Sequence, residues 1–260
     1  MAVTAPMIHK KGLLADFVVF DYDKIADKYN WFFSSREKNM ERQMGELKPI
    51  LDKYNLKTIL DCSCGDGLQA IALAKQGYVV DGGDISANML KNAVEFAEAE
   101  NVKINFRKSD FRALENTFTD KYDCVLSYGN AIPHLMTNED IHKAACSIYN
   151  RTNKIAILEM RNYDDLMATQ NRFLPMRIND VKDGFRYSIL YVLDYLSGVI
   201  RYNIVYLMEN LETGEKRMEH ESVDYNPIKK IDFLAHLEAA GFAKVDFEEN
   251  QSRICYIAEV

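Results

Sequence analysis

The 260-residue sequence lacks the excess of positive charge that nucleic-acid-binding proteins carry. Its 32 Lys and Arg residues are outnumbered by 39 Asp and Glu residues, which gives a net charge of −7 at pH 7. The net negative charge gives no sign of the positively charged surface that binds DNA or RNA. A small-molecule partner is therefore favoured over a nucleic acid. Internal repeats and low-complexity linkers are also missing from the sequence.

Cysteine is scarce, and its spacing lacks the C-x-x-C pattern of redox and zinc motifs. The five cysteines include Cys62 and Cys64, which are too close in sequence for an ordinary disulfide, and Cys124, which lies in a strand-like run. We therefore expect buried, reduced thiols in a cytoplasmic protein, and we predict no metal site.

The N-terminal region lacks a convincing targeting or membrane segment. Its apolar run over residues 13–20 is short, is interrupted by Asp16 and has no small-residue cleavage site. These features predict neither a signal peptide nor a membrane span, and no membrane partner. Whether the chain forms a homo-oligomer is left open by the sequence.

What the sequence does contain is an alternation of strand-like and helix-like segments. Hydrophobic residues make up 48% of the chain and charged residues 27%, which is ordinary for a globular protein with a sizeable core. Strands are predicted at 57–62, 78–83, 103–107, 122–128 and 154–160, and helices at 68–76, 87–99 and 138–149. Alternating βαβ units imply a parallel sheet with right-handed crossovers.

The pattern changes after residue 161. Strand-like runs at 185–193, 199–208 and 216–225 predict an antiparallel sheet inserted before a last helix over 228–240. Two closing strands are predicted at 243–249 and 253–260. We expect a single domain over 1–260 with four parts: a loose tail over 1–20 and two lid helices up to residue 54, a cofactor-binding core over 55–161, a substrate-covering insertion over 162–227 and a closing segment over 228–260.

The most informative segment reads TILDCSCGDGLQAIALAKQGYVVDGGDISANML over residues 58–90. Its first strand ends in Asp61, and a tight turn with Gly65 and Gly67 follows. Glycines in such a turn let the backbone approach a ligand, and the next helix presents free N–H groups there. The second strand ends in Asp84, where a carboxylate can accept both hydroxyls of a ribose. The segment therefore predicts a nucleoside-containing ligand.

Two classes of cofactor fit this geometry, and the charges near the turn distinguish them. The run GDGLQA fits the loose dinucleotide pattern G-x-G-x-x-A. A pyrophosphate, however, would be repelled by Asp61 and Asp66, and residues 59–74 contain no Lys or Arg. S-adenosylmethionine carries an ammonium and a sulfonium but no phosphate. The charges therefore favour this methyl donor, and a dinucleotide stays as the weaker alternative.

Four motifs in order resemble those of a known family. They are DCSCGDG at 61–67, DISANML at 84–90, SYGNAIPHL at 127–135 and MRNYD at 160–164. The chain resembles the class I S-adenosylmethionine-dependent methyltransferases and, over roughly residues 20–165, their glycine/sarcosine N-methyltransferase-like branch. The resemblance implies a Rossmann-like α/β fold, with a seven-stranded sheet, helices on both faces and an inserted antiparallel sheet over the active site.

The resemblance also implies S-adenosylmethionine as the cofactor and S-adenosylhomocysteine as its product. The cofactor-binding residues that it implies are Asp61, Ser63, Cys64, Gly65, Gly67, Asp84, Ile85, Met89, Asp110, Phe111 and Tyr128. By position, Asp110 is similar to the acid that accepts from the adenine amino group; the alternative is a helix N-cap. Gly82 and Gly83 within a strand indicate a close approach of another group, here the adenosine.

Arg161 is the strongest substrate signal, because it emerges at the cleft directly after an apolar strand. A guanidinium there can grip a carboxylate with two parallel hydrogen bonds. The resemblance implies this role for the arginine of RNYD. The alternative is an ion pair with Glu159, Asp164 or Asp165.

Residues after the fourth strand complete the predicted site. Asn130 and His134, together with Arg161, are the predicted catalytic residues, although a structural role for His134 is equally consistent with the sequence. The predicted substrate-binding residues are Tyr22, Asn130, His134, Arg161, Tyr163 and Tyr225. The other tyrosines of the insertion are assigned mostly to the core. The segment Ala131-Ile132-Pro133 departs from the family pattern, which predicts a more apolar pocket and argues against glycine itself as the substrate.

The sequence thus predicts methyl transfer to the nitrogen of a small amine or amino acid by in-line displacement. A sulfonium is already a strong electrophile, so the protein mainly aligns the reacting atoms. Desolvation beside the sulfonium lowers the proton affinity of the amine, so no strong base is required. Two alternatives stay open: O-methylation of a small phenolic or carboxylic metabolite, and a cofactor-binding protein without turnover.

Overall fold

The computed structural model describes residues 17–18, 21–33 and 35–260. In chain order its strands are β1 (Thr58–Asp61), β2 (Val79–Asp84), β3 (Asn105–Lys108), β4 (Tyr122–Ser127), β5 (Thr152–Arg161), β6 (Phe173–Lys182), β7 (Phe185–Tyr195), β8 (Ile200–Asn210), β9 (Lys216–Tyr225), β10 (Lys244–Glu249) and β11 (Arg253–Glu259). Its helices are α1 (Tyr22–Tyr29), α2 (Arg36–Lys53), α3 (Leu68–Lys75), α4 (Ala87–Ala99), α5 (Asn138–Arg151), α6 (Tyr163–Thr169) and α7 (Lys230–Ala240), with short 3-10 turns at Asn30–Phe32, Leu114–Asn116 and Ile132–His134.

Seven strands form one sheet in the order β10-β11-β5-β4-β1-β2-β3. The strands β1 to β5 pair in parallel, whereas β11 runs antiparallel between β5 and β10. Parallel strands all end at the same edge of a sheet, so the residues that follow β1 to β5 meet there. This topology confirms the predicted Rossmann-like α/β fold.

Helices cover both faces of this sheet, as predicted. On one face, α2, α3 and α4 bury apolar side chains that include Leu47, Ile71 and Ala97. On the other face, α5 and α7 bury Ile148 and Leu237. Each fully buried Leu or Ile contributes roughly 1.5–3 kcal/mol relative to an exposed one, so the two apolar layers hold the sheet in place.

Side-chain caps fix where three of the helices begin. The hydroxyls of Ser35, Ser86 and Thr137 accept from the backbone N–H three residues later, at the starts of α2, α4 and α5. Such a cap contributes about 1 kcal/mol. The Ser86 cap bears most directly on the site, because it begins α4 two residues after Asp84, at the edge where the parallel strands end.

A second, antiparallel sheet follows β5 in the order β6-β7-β8-β9. Strands β7, β8 and β9 coincide with the three predicted strands, which confirms the inserted sheet. Strand β6 is absent from the predicted strands. Its sequence FLPMRINDVK includes Pro175 and lacks regular alternation, and two register shifts interrupt its pairing with β7. Proline and irregular pairing are typical of an edge strand, which is the position of β6.

The N-terminal helices pack against the inner face of the inserted sheet. The ring of Trp31 lies 4.9 Å from that of Tyr187, and the Tyr187 hydroxyl donates to the Trp31 carbonyl at 3.1 Å. Further along the sheet, Val18 and Asp224 exchange two hydrogen bonds at the edge strand β9. The predicted loose tail over 1–20 otherwise lies outside the described residues.

The cysteines form no cross-link. All five are free thiols, and three of them are buried. Within the described ranges, no group of three or more His, Cys, Asp or Glu side chains is arranged to hold a metal ion. No helix in those ranges is long and apolar enough to cross a membrane.

The glycine pair in β2 lies against two aromatic rings of the protein. A Cβ at Gly82 would lie 2.5 Å from the ring of Phe106, and a Cβ at Gly83 would lie 3.1 Å from the ring of Phe118. The two glycines therefore make room for aromatic side chains of the protein itself. The close approach that the glycines indicate is thus accounted for by these rings, and an approach of the adenosine to this pair stays a prediction.

Replacing Gly82 with Ala should lower the free energy of unfolding by roughly 1–3 kcal/mol, because the added methyl group overpacks against Phe106. The matched control is Gly45→Ala in α2, where a Cβ would meet nothing within 4 Å. It should raise the free energy of unfolding by roughly 0.5–1 kcal/mol. Urea denaturation followed by circular dichroism measures both changes. A Gly82→Ala protein as stable as the wild type would contradict the packing role.

Candidate active site

Two glycines with left-handed backbone shape the turn after β1. Gly65 has a φ of 53° and Gly67 a φ of 79°, values that a side chain disfavours. The Gly65 N–H donates to Oδ2 of Asp84 at 2.8 Å, and the Ser86 N–H donates to its Oδ1 at 2.9 Å. The Asp84 carboxylate is thereby fixed at the tip of β2.

A cavity of about 360 Å³, here called the cofactor cavity, lies at this turn. Most of the predicted cofactor-binding residues line it, namely Ser63, Gly65, Asp84, Ile85, Met89, Asp110, Phe111 and Tyr128. Cys64 lines a neighbouring cavity. Asp61 and Gly67 line neither, and Gly67 instead packs closely against Ala93 of α4. These two residues can therefore affect a cofactor only indirectly, through the conformation of the turn.

The chemistry of the cofactor cavity fits a nucleoside that carries no phosphate. Asp84 supplies acceptors for ribose hydroxyls, and Ile85 supplies an apolar surface for a base. Among the described residues on its wall, the one Lys or Arg is Arg112, which donates to Asp110 at 2.6 Å and to Asp140 at 3.1 Å. A pyrophosphate would thus meet carboxylates and an arginine that is already paired.

Asp61 is a buried acid that lacks a hydrogen-bond partner. It is 1% exposed, and neither carboxylate oxygen forms a hydrogen bond of normal geometry with any described residue. Burial raises the pKa of Asp61 to about 8, although the nearby Ser63 N–H partly opposes this shift. Without a ligand, this acid is therefore mostly protonated at pH 7, and a cation bound nearby would favour its ionised form.

Asp66 forms an ion pair with a residue that is distant in the sequence. Arg36, at the start of α2, donates to Oδ2 of Asp66 at 2.6 Å and to its backbone oxygen at 2.8 Å. The guanidinium also lies 4.0 Å from the ring centroid of Phe96. The predicted repulsion between Asp66 and a phosphate is therefore largely cancelled, and the electrostatic argument depends on Asp84, which borders the cofactor cavity.

A second cavity of about 480 Å³, here called the acceptor cavity, adjoins the first. Six residues line both cavities: Tyr22, Tyr29, Ser63, Gly65, Tyr128 and Gly129. Its other wall comes from β5 and the inserted sheet, and includes Arg161, Tyr191, Tyr202 and Tyr225. A ligand in the acceptor cavity would therefore contact one in the cofactor cavity.

Arg161 reaches the acceptor cavity as the last residue of β5. Its guanidinium forms no ion pair and no hydrogen bond with any described residue, and lies 5.7 Å from the ring centroid of Tyr202. The predicted alternative of an ion pair with Glu159, Asp164 or Asp165 is therefore not observed; Glu159 pairs with an arginine of β11. A partly buried cation without a carboxylate partner is a site for an anionic group of a ligand.

Asn130 is held in one orientation beside Arg161. Its backbone is left-handed, with a φ of 75°, a conformation that Asn tolerates better than most residues. Its Oδ1 accepts from the Arg161 N–H at 3.0 Å, and its Nδ2 donates to the Tyr163 hydroxyl at 3.1 Å. Tyr163 is buried and lines neither cavity, so it orients Asn130 and does not face a ligand.

Tyr22, His134 and Tyr225, all predicted site residues, are brought together where the cavities meet. The Tyr22 hydroxyl lies 2.8 Å from Nε2 of His134, and the rings of His134 and Tyr225 are 4.6 Å apart. Burial lowers the pKa of His134 to about 4. The imidazole is therefore neutral at pH 7 and is a weak base.

An ion-pair network that the sequence analysis did not reveal supports Tyr128. The Tyr128 hydroxyl donates to Glu46 of α2 at 2.8 Å, and Arg253 of β11 donates to the same carboxylate at 2.7 Å. Arg253 also lies 3.4 Å from Glu159 of β5. The network fixes the side chain that separates the two cavities.

Comparison with known proteins identifies the cofactor. Residues 59–154 match the methyltransferase domain family. This match supports the predicted resemblance to the class I S-adenosylmethionine-dependent methyltransferases, and S-adenosylmethionine is the cofactor that goes with it.

Three known proteins show the range of the likeness. The chain is 32% identical to the glycine/sarcosine N-methyltransferase of Parasynechococcus marenigrum over 120 residues, 45% of this chain and 43% of that protein. It is 31% identical to the ubiquinone biosynthesis O-methyltransferase of Rickettsia akari over 157 residues, 51% of this chain and 59% of that one. The S-adenosylmethionine-bound amino pentose methyltransferase CalS10 of Micromonospora echinaspora shares the fold, with a TM-score of 0.70 over 96% of this chain and 99% of that one at 14% identity. The sequence matches thus span about half the length of the curated relatives.

The structure also corrects the predicted acceptor pocket. Ile132 and Pro133 are buried in the core, and Ala131 lines the cofactor cavity, so this segment does not make the acceptor cavity apolar. Tyr191 and Tyr202, which were assigned to the core, do pack in the core of the inserted sheet but also line the acceptor cavity. The two-residue periodicity of β7 and β8 places both on the inner face and could have indicated this position.

Replacing Asp61 with Asn should change how stability depends on pH. Because burial raises the pKa of Asp61 from 3.8 to about 8, the folded protein holds a proton there that the unfolded chain releases. The free energy of unfolding therefore falls as the pH rises through that window. Without ligand, we expect Asp61→Asn to raise the melting temperature relative to the wild type near pH 8, with a smaller difference near pH 5.

Thermal unfolding of both proteins from about pH 5 to about pH 8.5 measures this difference. The control is Asp120→Asn, which changes an exposed aspartate and should leave the pH profile as it is. Parallel profiles for the wild type and Asp61→Asn would show that the buried acid does not carry the proton.

Proposed function

We propose that the protein methylates the nitrogen of a small amine that carries a carboxylate, such as an amino acid. The observation that supports this most is the guanidinium of Arg161, which has no carboxylate partner among the described residues and faces the acceptor cavity. A ligand carboxylate would satisfy this charge with two parallel hydrogen bonds. Glycine and sarcosine, the substrates in the name of the Parasynechococcus relative, are ligands of this kind.

The proposed mechanism depends mainly on alignment. S-adenosylmethionine would supply an electrophilic methyl group at the place where the cofactor and acceptor cavities meet. Arg161 would hold the carboxylate of the acceptor, and Asn130, whose orientation is fixed by the Arg161 N–H and by Tyr163, would limit the rotation of the bound amine. Two-point fixation leaves the nitrogen lone pair directed at the methyl carbon, which is the main requirement for in-line displacement.

Tyr22 would position the amine and would not deprotonate it. Neutral His134 can accept the Tyr22 proton at Nε2, and this contact would fix the direction of the Tyr22 hydroxyl beside the amine. Because the pKa of His134 is lowered to about 4, this histidine is poorly suited to take the proton of an amine at neutral pH. The acceptor would instead react as the neutral amine, with burial favouring that form.

O-methylation of a phenolic or carboxylic metabolite is the second candidate. The tyrosine rings that wall the acceptor cavity would suit an aromatic acceptor, and one relative is named as an O-methyltransferase. A cofactor-binding protein without turnover is the third. Incubation with labelled methyl donor and panels of amines, phenols and carboxylates separates these three functions. We also propose that the protein acts on a small molecule in the cytoplasm.

Arg161→Leu should raise the KM for an amino acid by roughly 10-fold to 100-fold, because a charged hydrogen bond contributes about 1.5–3 kcal/mol. The same variant should leave the KM for the matching amine without a carboxylate unchanged, since that amine never contacts the guanidinium. Steady-state assays with labelled methyl donor measure both constants.

The control is Arg186→Leu, which removes an exposed arginine from the outer face of the inserted sheet. It should change neither KM. If the Arg161→Leu protein kept the wild-type KM for the amino acid, the carboxylate clamp would be ruled out. If the KM rose equally for both acceptors, Arg161 would have a structural role.

A further inference from the structure

The outer face of the inserted sheet, which is turned away from the acceptor cavity, carries apolar side chains. Side chains alternate between the two faces of a strand, and the buried residues Tyr187 and Ile189 of β7 mark the inner face. The residues that alternate with them point outward. The apolar members of this outward set, here called the outer patch, are Phe173, Leu190, Val192, Val205, Leu207 and Met218.

The register of the strands makes the outer patch continuous. Leu190 lies opposite Val205 where β7 pairs with β8. Leu207 lies opposite Met218 where β8 pairs with β9. Phe173, Leu207 and Met218 are 62%, 44% and 67% exposed, so the described part of the chain leaves them open to solvent. Large continuous apolar patches are rare on monomeric proteins and mark interaction sites.

Charged residues flank the outer patch in a self-complementary order. On β7, Arg186 and Asp194 lie at equal distances along the strand to either side of Leu190. On β8, Arg201 and Glu209 occupy the two ends in the same way. A two-fold axis that crosses the strands at the centre of the patch would place each of these arginines opposite the acid on the same strand of a second copy. The charge pattern therefore fits another copy of this chain.

The size of the outer face also suits a pair of identical chains. Its four strands are 10 or 11 residues long. At the usual strand spacing and rise they cover roughly 600–700 Å². This area approaches the roughly 800 Å² that each partner contributes to an interface of standard size. Two sheets can pack face to face in this way, with the apolar side chains between them.

We propose that the outer patch is the interface of a two-fold symmetric homodimer. The apolar side chains supply the free energy of association, and the charges around them set the orientation of the partner. Within one chain Arg186 already pairs with Glu209 at 2.9 Å, and Asp194 with Arg172 at 3.1 Å. Pairing across the interface therefore extends existing ion pairs and leaves no buried charge without a partner. Because the interface lies on the outer face, it does not depend on which acceptor the enzyme uses.

Analytical ultracentrifugation tests the interface. The wild-type chain should show a species of twice the monomer mass as the protein concentration rises. Leu207→Lys places a charge within the outer patch and should raise the dissociation constant of the dimer by roughly 10-fold or more. The control is Ile231→Lys, which changes an exposed apolar residue of α7 and should leave the dimer as it is. Melting temperatures confirm that each variant is folded.

A wild-type chain that stays monomeric at every concentration would overturn the proposal. So would a dimer that Leu207→Lys does not weaken.

The order of the charges allows a sharper test of the two-fold arrangement. In Asp194→Lys, each introduced lysine would face the partner's Arg186. In Arg186→Glu, each introduced glutamate would face the partner's Asp194. Because like charges then meet at two symmetric contacts, each variant alone should dimerise roughly 10-fold to 100-fold more weakly than the wild type.

Mixing the two variants should restore the dimer, because a heterodimer of Asp194→Lys with Arg186→Glu has opposite charges at both contacts. Damage within either chain would not be repaired by mixing, so recovery reports on the interface itself. A mixture that associates as weakly as each variant alone would rule out this pairing, and undiminished dimers of the single variants would place the interface elsewhere.

Discussion

One cation, Arg253, ties together the elements that enclose both cavities. It lies between Glu46 of α2 and Glu159 of β5, and it contacts the hydroxyl of Tyr128 at the end of β4. Because Tyr128 lines both cavities, this network sets the distance between the cofactor side and the acceptor side. Methyl transfer requires that the reacting atoms be held in line, so this charge cluster, whose Glu159 and Arg253 also line the acceptor cavity, bears on its geometry.

The sequence revealed those parts of the fold that depend on neighbouring residues. The strand, turn and helix around Gly65 follow from local backbone preferences, and Asp84 follows from its place at the end of an apolar strand. Strand β6 could not be predicted in this way, because its pairing with β7 is irregular and Pro175 conceals its pattern. The pairing of Arg36 with Asp66 joins residues 30 positions apart and depends on how α2 packs on the sheet.

Within the candidate site, the sequence predicted which residues are present more easily than the role of each residue. The conformation of the chain brings the predicted site residues Tyr22, His134 and Tyr225 together, but it also gives the site residues different tasks. His134 is buried and neutral, so it orients a hydroxyl. Asp110 has the expected position, and it also pairs with Arg112. Such differences arise from burial and from competing partners, neither of which a motif records.

Trp31 gives the chain an optical property that does not depend on the reaction at the candidate site. It is the single tryptophan of the sequence, it is 8% exposed, and its ring contacts Tyr187 at the seam between the N-terminal helices and the inserted sheet. Both sides of that seam contribute walls to the acceptor cavity. The emission of this one indole therefore reports on the seam alone, and the enclosure of a ligand can be followed optically in the unlabelled wild-type protein.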